Sequence, residues 1–247
     1  MKDGSSELKE AILQANSTAI SLFYCPTRRP ANAYPYVNTE GMPSGEGEGR
    51  VGFSPLLPER CTDGSQGPCL MGRSDYGGNS GNRFKRAASG YGWGAPGPPS
   101  LEATDKWEWN IKDQNGVTYQ RSQVRAAQIV DGLSHTICIG EKFVYAESYE
   151  TGEWNFDDQS MFVGHDFDMI RSTGTSDGES IVPIHDGVGS SFIRRGAEFG
   201  SAHAEGSHYA FCDGSVHFFD YNADPEAHRV RGGIDDEAIV NEKAASN

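Results

Sequence analysis

Three clusters of histidine and aspartate are the residues of this chain best suited to metal chemistry or hydrolysis. They are His165-Asp166-Phe167-Asp168, His185-Asp186-Gly187, and His203 together with Asp213. Imidazole and carboxylate ligands together suit zinc, manganese or iron. However, the chain has neither an H-E-x-x-H motif nor a C-x-x-C pair, and adjacent His-Asp in a glycine-rich loop is also ordinary turn chemistry. We therefore expect structural roles for all three clusters and keep a metal-dependent hydrolase as a remote alternative.

Other motifs of catalysis and cofactor binding are absent from the sequence. It has no G-x-S-x-G nucleophile motif and no G-x-x-x-x-G-K-[ST] loop, and the glycine-rich segment 45–49 is acidic, which repels phosphate. Four of the Asp-Gly pairs before the last hairpin offer oxygen ligands to Ca²⁺, but none forms the spaced D-x-[DN]-x-[DN]-G loop. We predict a protein that is not an enzyme, with no catalytic residue, metal ligand or cofactor. Calcium is the weaker alternative. These pairs begin at Asp63, Asp131, Asp177 and Asp186.

The charge of the chain excludes one class of partner. Its formal net charge is −14, whereas nucleic-acid binding depends on neutralising phosphates with Lys and Arg. No apolar run approaches the roughly 20 residues of a membrane span, and the first residues, MKDGSSELKE, do not resemble a secretory signal. We expect either a cytosolic protein or an export segment encoded upstream.

Five cysteines leave at least one thiol unpaired. Cys61 and Cys69 bracket a short Gly/Pro loop that can close as a disulfide in an oxidising compartment, and five free thiols are the alternative. Cys138 and Cys212 lie in apolar, strand-like runs, where a small buried thiol is expected.

The elements that position these residues are clearest at the two ends of the chain. Residues 5–16 are predicted to form a helix with Leu8, Ala11, Ile12 and Ala15 on one face, followed by a short strand that Pro26 ends. Near the C-terminus, SHYAFC and SVHFFDY flank Asp213-Gly214 and predict a hairpin. There we expect Tyr209 and Phe211, and Val216 and Phe218, to alternate inward. Asp224 is predicted to cap a short helix that begins at Pro225.

The middle of the chain is predicted to contain fewer regular elements. Residues 31–105 are rich in Gly and Pro with interleaved aromatics, which favours long loops anchored by aromatic side chains, as a loop-rich insertion. The Asn115-Gly116 turn predicts a hairpin between KWEWNI and VTYQRSQV. HTICIGEKFVYAE is predicted to be rich in β-structure, and residues 150–200 to be loops.

Four segments resemble one family in the same order along the chain. They are LFYCPTRRP at 22–30, GRSDYGGNSG at 72–81, IVDGLSHTICIGEK at 129–142, and the C-terminal run in which nine residues separate His203 from Asp213-Gly214. The set resembles a planctomycete family of unknown function, pseudopilin-like and related to type II secretion and type IV pilins. That family has a prepilin-type cleavage and methylation segment and a C-terminal H-X9-DG signature, and has also been labelled solute-binding-like.

The resemblance implies an α+β, pilin-like fold, in which an N-terminal helix packs on an antiparallel sheet with long Gly/Pro-rich loops. It implies one extracytoplasmic domain over 1–247, with the H-X9-DG hairpin and C-terminal helix at 200–231. The leader and apolar helix are not in this sequence. We expect them upstream of Met1, anchoring the full-length protein to the cytoplasmic membrane, with a soluble paralogue as the alternative. His203, Asp213 and Gly214 are then structural. His203 is predicted to be a buried, hydrogen-bonded ring, with a metal ligand as the alternative.

The leading functional hypothesis is a non-enzymatic structural or assembly subunit of a type II secretion or type IV pilus-like system. Its partners are then other pilin or pseudopilin subunits or secretion-system proteins, in the periplasm or at the cell surface. The alternative is an extracytoplasmic module that binds a solute or polysaccharide. For that module the tryptophans are candidate stacking residues: Trp93, Trp107, Trp109 and Trp154.

Overall fold

The structure is a computed structural model that describes residues 6–37, 58–61, 67–83, 85–86, 114–154, 156–176, 179–187 and 196–235. Its helices and strands are α1 (Ser6–Asn16), β1 (Ala33–Tyr36), β2 (Cys69–Gly72), β3 (Tyr76–Asn79), β4 (Lys85–Arg86), β5 (Ile137–Glu141), β6 (Ile170–Arg171), β7 (Thr175–Ser176), β8 (Glu179–Ser180), β9 (Ile184–His185), β10 (Gly200–Ser201), β11 (Gly206–Phe211), β12 (Val216–Asp220) and α2 (Pro225–Val230). Short 3₁₀ turns lie at Ser21–Phe23, Glu59–Cys61, Ala126–Gln128 and Ala146–Ser148.

The largest sheet has five strands in the order β12-β11-β5-β3-β6. Its neighbours are antiparallel except β3 and β6, which run parallel. Three smaller sheets pair β1 with β2, β9 with β10, and β4 and β8 with β7. In the part of the chain that the structure describes, two α-helices and mostly antiparallel sheets confirm the predicted α+β class.

The C-terminal hairpin forms as predicted, but the inward face of its second strand was predicted wrongly. Opposed residues share a face, and Tyr209 is opposite His217 while His208 is opposite Phe218. Tyr209 is therefore buried on the same side as Phe219, and Val216 and Phe218 are exposed on the other side. The four-residue connection places Phe211 opposite Ser215, which shifts the alternation of β12 by one residue relative to our expectation.

Behind this hairpin lies a cluster that we call the aromatic core: Ile137, Phe199, Tyr209, Phe211 and Phe219. Tyr209 is fully buried, with its ring centroid 5.2 Å from that of Phe199 and 5.1 Å from that of Phe219. Gly140 of β5 permits this packing, because a Cβ there would lie 2.6 Å from the Tyr209 ring. As predicted, Asp224 caps α2, and its carboxylate accepts the Glu226 N–H at 2.9 Å.

Helix α1 occupies nearly the predicted residues, but the predicted buried face is wrong. Leu13 and Asn16 are buried and Leu8 is 46% exposed. The helix contacts β2, and Leu13 joins a small cluster with Cys69 and Met71. Leu13 is thus the apolar side chain that α1 buries in this cluster.

The predicted strand at SLFYCP is instead a 3₁₀ turn, since Phe23 and Tyr24 donate to Ile20 and Ser21 carbonyls. The segment 31–105, predicted to be a loop-rich insertion, contains the strands β1, β2 and β3. Because β3 is an internal strand of the largest sheet, this segment is not purely a surface insertion. The first arm of the hairpin predicted at Asn115-Gly116 lies outside the described residues, and 117–121 form bends and a turn. Among the described helices, none combines the length and apolarity of a membrane crossing.

Candidate functional site

Three chemically reactive side chains meet at the end of β5, the central strand of the largest sheet. The Sγ of Cys25 lies 3.9 Å from Nε2 of His203, and the same nitrogen lies 3.3 Å from Oε1 of Glu141. One ligand atom from each residue lies within 4.8 Å of the other two. The three residues are separated by more than 50 positions along the chain, so the fold alone creates this cluster.

Cys25 is fixed by a two-way backbone connection to the GRSDYGGNSG segment. Its N–H donates to Oδ2 of Asp75 at 2.8 Å, while the Asp75 N–H donates to the Phe23 carbonyl at 2.8 Å. Burial raises the pKa of the Cys25 thiol, since the desolvated thiolate is disfavoured. The thiol therefore lies at a defined, water-poor position.

Glu141 and His203 are held just as firmly from the opposite side. The second carboxylate oxygen of Glu141 accepts the backbone N–H of His208 at 2.8 Å and lies 3.2 Å from that residue's ring. The hydroxyl of Tyr221 donates to the carbonyl of His203 at 3.1 Å. The His203 side chain is 31% exposed, so the prediction that it is buried was wrong, although it does join the loop before β11 to the sheet.

Beneath this cluster lies a group of buried charged residues that we call the ionic core: Arg28, Arg29, Arg73, Asp75, Lys142, Asp157 and Asp186. Arg28 contacts Asp186 at 2.8 Å and Asp75 at 3.3 Å. Arg29 contacts Asp75 and Asp157 at 2.6 Å each. Adjacent arginines thus join three separate segments by charge-assisted hydrogen bonds.

The electrostatics of the ionic core depend on how each acid is paired. Burial alone would raise the pKa of Asp157, but Arg29, Lys142 and Arg73 hold it below its ordinary value. Lys142 lies 2.7 Å from Asp157, and burial lowers the lysine's pKa. At the margin of the core, burial and the carboxylates of Asp158 and Asp166 raise the pKa of Asp168 well above its ordinary value. The charged carboxylate is disfavoured there, and the cation of Lys142 offsets this effect only in part.

A cleft of about 400 Å³ lies in the described part of the chain. It has a mainly apolar lining with one histidine at its rim. Nε2 of His165 lies 3.1 Å from Oε1 of Gln114 there, and burial lowers the histidine's pKa. The lining includes Phe23, Tyr76, Tyr119, Ile139, Met161 and Met169.

The structure separates the two halves of the H-X9-DG signature. Asp213 and Gly214 form the turn of the hairpin, where Gly214 has a φ of +88° and Asp213 Oδ1 accepts the Ser215 N–H at 2.9 Å. His203 lies with Cys25 and Glu141 instead. The signature therefore combines a turn and a side-chain contact that lie at opposite ends of β11.

The two other His/Asp clusters have different surroundings. Asp186 belongs to the ionic core, whereas the ring of the adjacent His185 accepts the Gly187 N–H at 3.0 Å. Asp168 is fully buried and accepts the Gln159 N–H at 2.8 Å, and His165 lies at the cleft. Among the described residues, neither cluster forms a group that could hold a metal ion.

The cysteines and tryptophans also differ from one another. Cys61 and Cys69 are joined as a disulfide, with Cα atoms 5.1 Å apart. Cys138 and Cys212 are half-buried free thiols, contrary to the full burial expected, and they hydrogen-bond to each other. Trp154 is buried against Phe143, Tyr145 and Phe156 and is not available to stack on a sugar. The other three tryptophans lie outside the described residues.

Sequence reasoning about individual residues missed Cys25, Asp75 and Glu141 as members of a site. No local pattern distinguishes them, because their partners are remote in sequence. The four ordered motifs could have indicated them, since each of these residues lies inside one of the segments that resemble the family.

Comparisons with known proteins give one match. Residues 2–226 match the model of a family described as a protein of unknown function, DUF1559 (SBP_bac_10). No curated protein and no solved structure matches the chain significantly. Since the match spans most of its length, the chain belongs to the DUF1559 family.

Proposed function

We propose that this chain is a non-enzymatic structural head domain, a pseudopilin-like subunit of an extracytoplasmic secretion or pilus-like assembly. Its partners are other subunits of that assembly, and the full-length protein is anchored to the cytoplasmic membrane by a helix that precedes the chain. The proposal is supported by the four ordered motifs and by the burial of the residues that these motifs bring together.

The charged residues of the motifs lie in the interior of the domain, and this position supports a structural role. Arg28, Arg29, Asp75 and Lys142 are each at most 6% exposed, so a substrate in solution cannot reach them. Catalytic residues need contact with a substrate, whereas buried ion pairs between distant segments fix the arrangement of those segments. The motifs therefore suit a structural role, in which they hold the scaffold of the domain together.

The experiment follows the natural gene product in its own cell. A C-terminal tag is added at the chromosomal locus, and cells are separated into cytosolic, membrane, periplasmic and sheared-surface fractions. We expect the protein in the membrane and sheared-surface fractions, with an N-terminus that mass spectrometry identifies as cleaved and methylated. Covalent cross-linking should give complexes with other pilin-like subunits.

A matched control exports residues 1–247 alone behind an ordinary cleavable signal. That form has the same head but no anchoring helix, and it should stay in the soluble periplasmic fraction. An unprocessed natural product in the cytosolic fraction, without cross-linked subunits, would contradict the proposed function.

The cleft favours a second candidate, an extracytoplasmic module that binds a small solute. Its volume of about 400 Å³ falls within the range of roughly 300–1,000 Å³ that is usual for ligand pockets. A thermal-shift screen of neutral sugars and small apolar solutes tests this candidate. Ile139→Trp, which fills the cleft, should abolish a positive shift, while Val216→Trp on the exposed face of β12 should not. The absence of any shift in wild-type protein would remove the candidate.

A further inference from the structure

The cluster of Cys25, Glu141 and His203 has the composition of a metal site. Thiolate, imidazole and carboxylate are the three side-chain ligands that Zn²⁺ uses, and sites with three protein ligands keep a fourth position for water. A thiolate and a carboxylate together supply two negative charges, which match a divalent cation. The imidazole ligand is neutral, so it leaves this balance unchanged.

The distances agree with this chemistry. Ligand bonds of about 2.0–2.3 Å in tetrahedral geometry place neighbouring ligand atoms about 3.3–3.6 Å apart. His203 Nε2 is 3.3 Å from Glu141 Oε1 and 3.9 Å from Cys25 Sγ, and the remaining separation is within 4.8 Å. A rotation of the Cys25 side chain that moves Sγ on the order of 1 Å completes the tetrahedral arrangement.

The burial of Glu141 is a second, independent observation. Its side chain is 2% exposed, and its ion-pair partners within the described part of the chain are two histidines, with no Lys or Arg among them. A buried carboxylate without a permanent cation is costly unless it is paired or binds a metal. The nearby Arg28 and Arg29 are directed to Asp75, Asp157 and Asp186 instead.

The residues around the cluster orient its ligands. His208 holds the Glu141 oxygen that faces away from His203, which leaves Oε1 as a monodentate ligand. Carboxylates and histidines that bind metals are commonly oriented by such outer hydrogen bonds. The partial exposure of His203 supplies an entry path for the ion and a position for water.

We propose that Cys25, Glu141 and His203 bind one divalent transition-metal ion of the zinc class. The ion ties the 22–30 segment to the end of β5 and to the loop before β11, and water occupies its fourth position. This departs from our expectation of no metal, which rested on the absence of local motifs. The proposal stands whether or not the domain assembles into filaments, because its test uses the isolated chain.

The test uses the purified, metal-free chain with its Cys61–Cys69 disulfide intact and Cys25, Cys138 and Cys212 as free thiols. It is titrated with Co²⁺, whose bond to a thiolate gives a charge-transfer absorption band in the near ultraviolet. We expect one equivalent to bind and the band to appear. Cys25→Ser should abolish the band, and Glu141→Gln and His203→Ala should weaken Co²⁺ binding at least tenfold. The matched control is the double variant Cys138→Ser/Cys212→Ser, which removes the other pair of neighbouring thiols and should bind Co²⁺ like wild type.

A band that persists in Cys25→Ser and disappears in the double variant would overturn the proposal and assign the metal to Cys138 and Cys212. The absence of any band in wild-type protein would overturn it as well.

Zn²⁺ supplies a readout that does not require the Cys25 variant to fold. At about 100 times its Kd it should raise the melting temperature of wild-type protein by roughly 5–10 °C. The shift should fall to about half or less in His203→Ala and be kept in full in His217→Ala, and equal shifts in both would indicate binding elsewhere.

Discussion

The aromatic core and the ionic core are both buried, but they are held together by different interactions. In the aromatic core, Tyr209 and Phe219 pack against neighbours on adjacent strands of one sheet. In the ionic core, Arg28 reaches Asp186 across 158 positions of sequence and Arg29 reaches Asp75 across 46. The aromatic core lies against one sheet. The ion pairs of the ionic core join segments that are far apart in the sequence.

The two kinds of interaction contribute differently to the fold. Apolar burial stabilises at about 25 cal/mol per Å² and tolerates changes of shape, because it has little directionality. Buried ion pairs lose hydration that their attraction repays only in good geometry, so their net stabilisation is small although removing one partner is costly. The aromatic core therefore supplies stability, and the ionic core determines which segments come together.

The largest effect should follow from removing one acid of the ionic core. Asp157→Ala leaves Arg29 and Lys142 without their shared carboxylate, and we expect unfolding to become easier by about 3–5 kcal/mol. Arg29→Lys should also be destabilising, because an ammonium cannot contact Asp75 and Asp157 with a planar fork. Chemical denaturation monitored by circular dichroism measures both changes.

The matched control removes an exposed pair. Glu226 and Arg229 form an ion pair at the surface of α2, and Glu226→Ala should change stability little, since solvent screens the pair. If Asp157→Ala were as mild as Glu226→Ala, the ionic core would not determine the arrangement of the segments.

A titratable residue beside the aromatic core should make the stability of the domain depend on pH. His228 is buried near Phe199 and Tyr209, with ring centroids 6.2 and 5.6 Å away, and burial lowers its pKa to about 4. The unfolded chain has the ordinary value of about 6.5 and binds the proton first. The contribution of the neutral ring is complete above pH 6.5 and is lost as the pH falls toward 4. This loss amounts to about 3 kcal/mol.

The measurement compares urea unfolding of wild type and His228→Phe between pH 4 and 7. The variant lacks the titrating ring, so the difference in unfolding free energy should change steadily across this window. His217→Gln, at an exposed position of β12, should follow wild type. A constant difference between wild type and His228→Phe would mean that the aromatic core accommodates the charged ring. The low pKa of Asp157 implies that its own contribution is lost only at more acidic pH.

The same contrast explains what the sequence could predict. The C-terminal hairpin and the capped helix α2 follow from signals within a few residues: alternation, Asp213-Gly214 and Asp224-Pro225. The face of β12 was wrong because it depends on the number of residues between paired positions, which alternation alone does not determine. α1 was placed correctly, but its buried face depends on β2, which lies more than 50 residues away.

The candidate site could not be predicted from local sequence patterns, and the physical reason is similar. Ion pairs and metal ligands need only the right atoms at the right distance, and no periodicity encodes a partner such as Asp186 for Arg28. The ordered motifs did mark the segments that contain Cys25, Glu141 and His203, yet the motifs did not indicate that these segments touch. Only the fold brings the three side chains together.

The smallest effect should come from a conservative change in the aromatic core. Phe219→Leu keeps an apolar side chain packed against Tyr209 and Phe211, whose ring centroids lie 5.1 and 6.2 Å from that of Phe219, so neighbouring side chains can repack. We expect a loss of about 1 kcal/mol, measured by urea unfolding, because apolar swaps of similar volume are usually tolerated. Phe219→Ala is the matched larger change and should lose about 3–5 kcal/mol by opening a cavity. If Phe219→Leu were as costly as Arg29→Lys, both cores would require specific geometry, and the proposed division between stability and specification would fail.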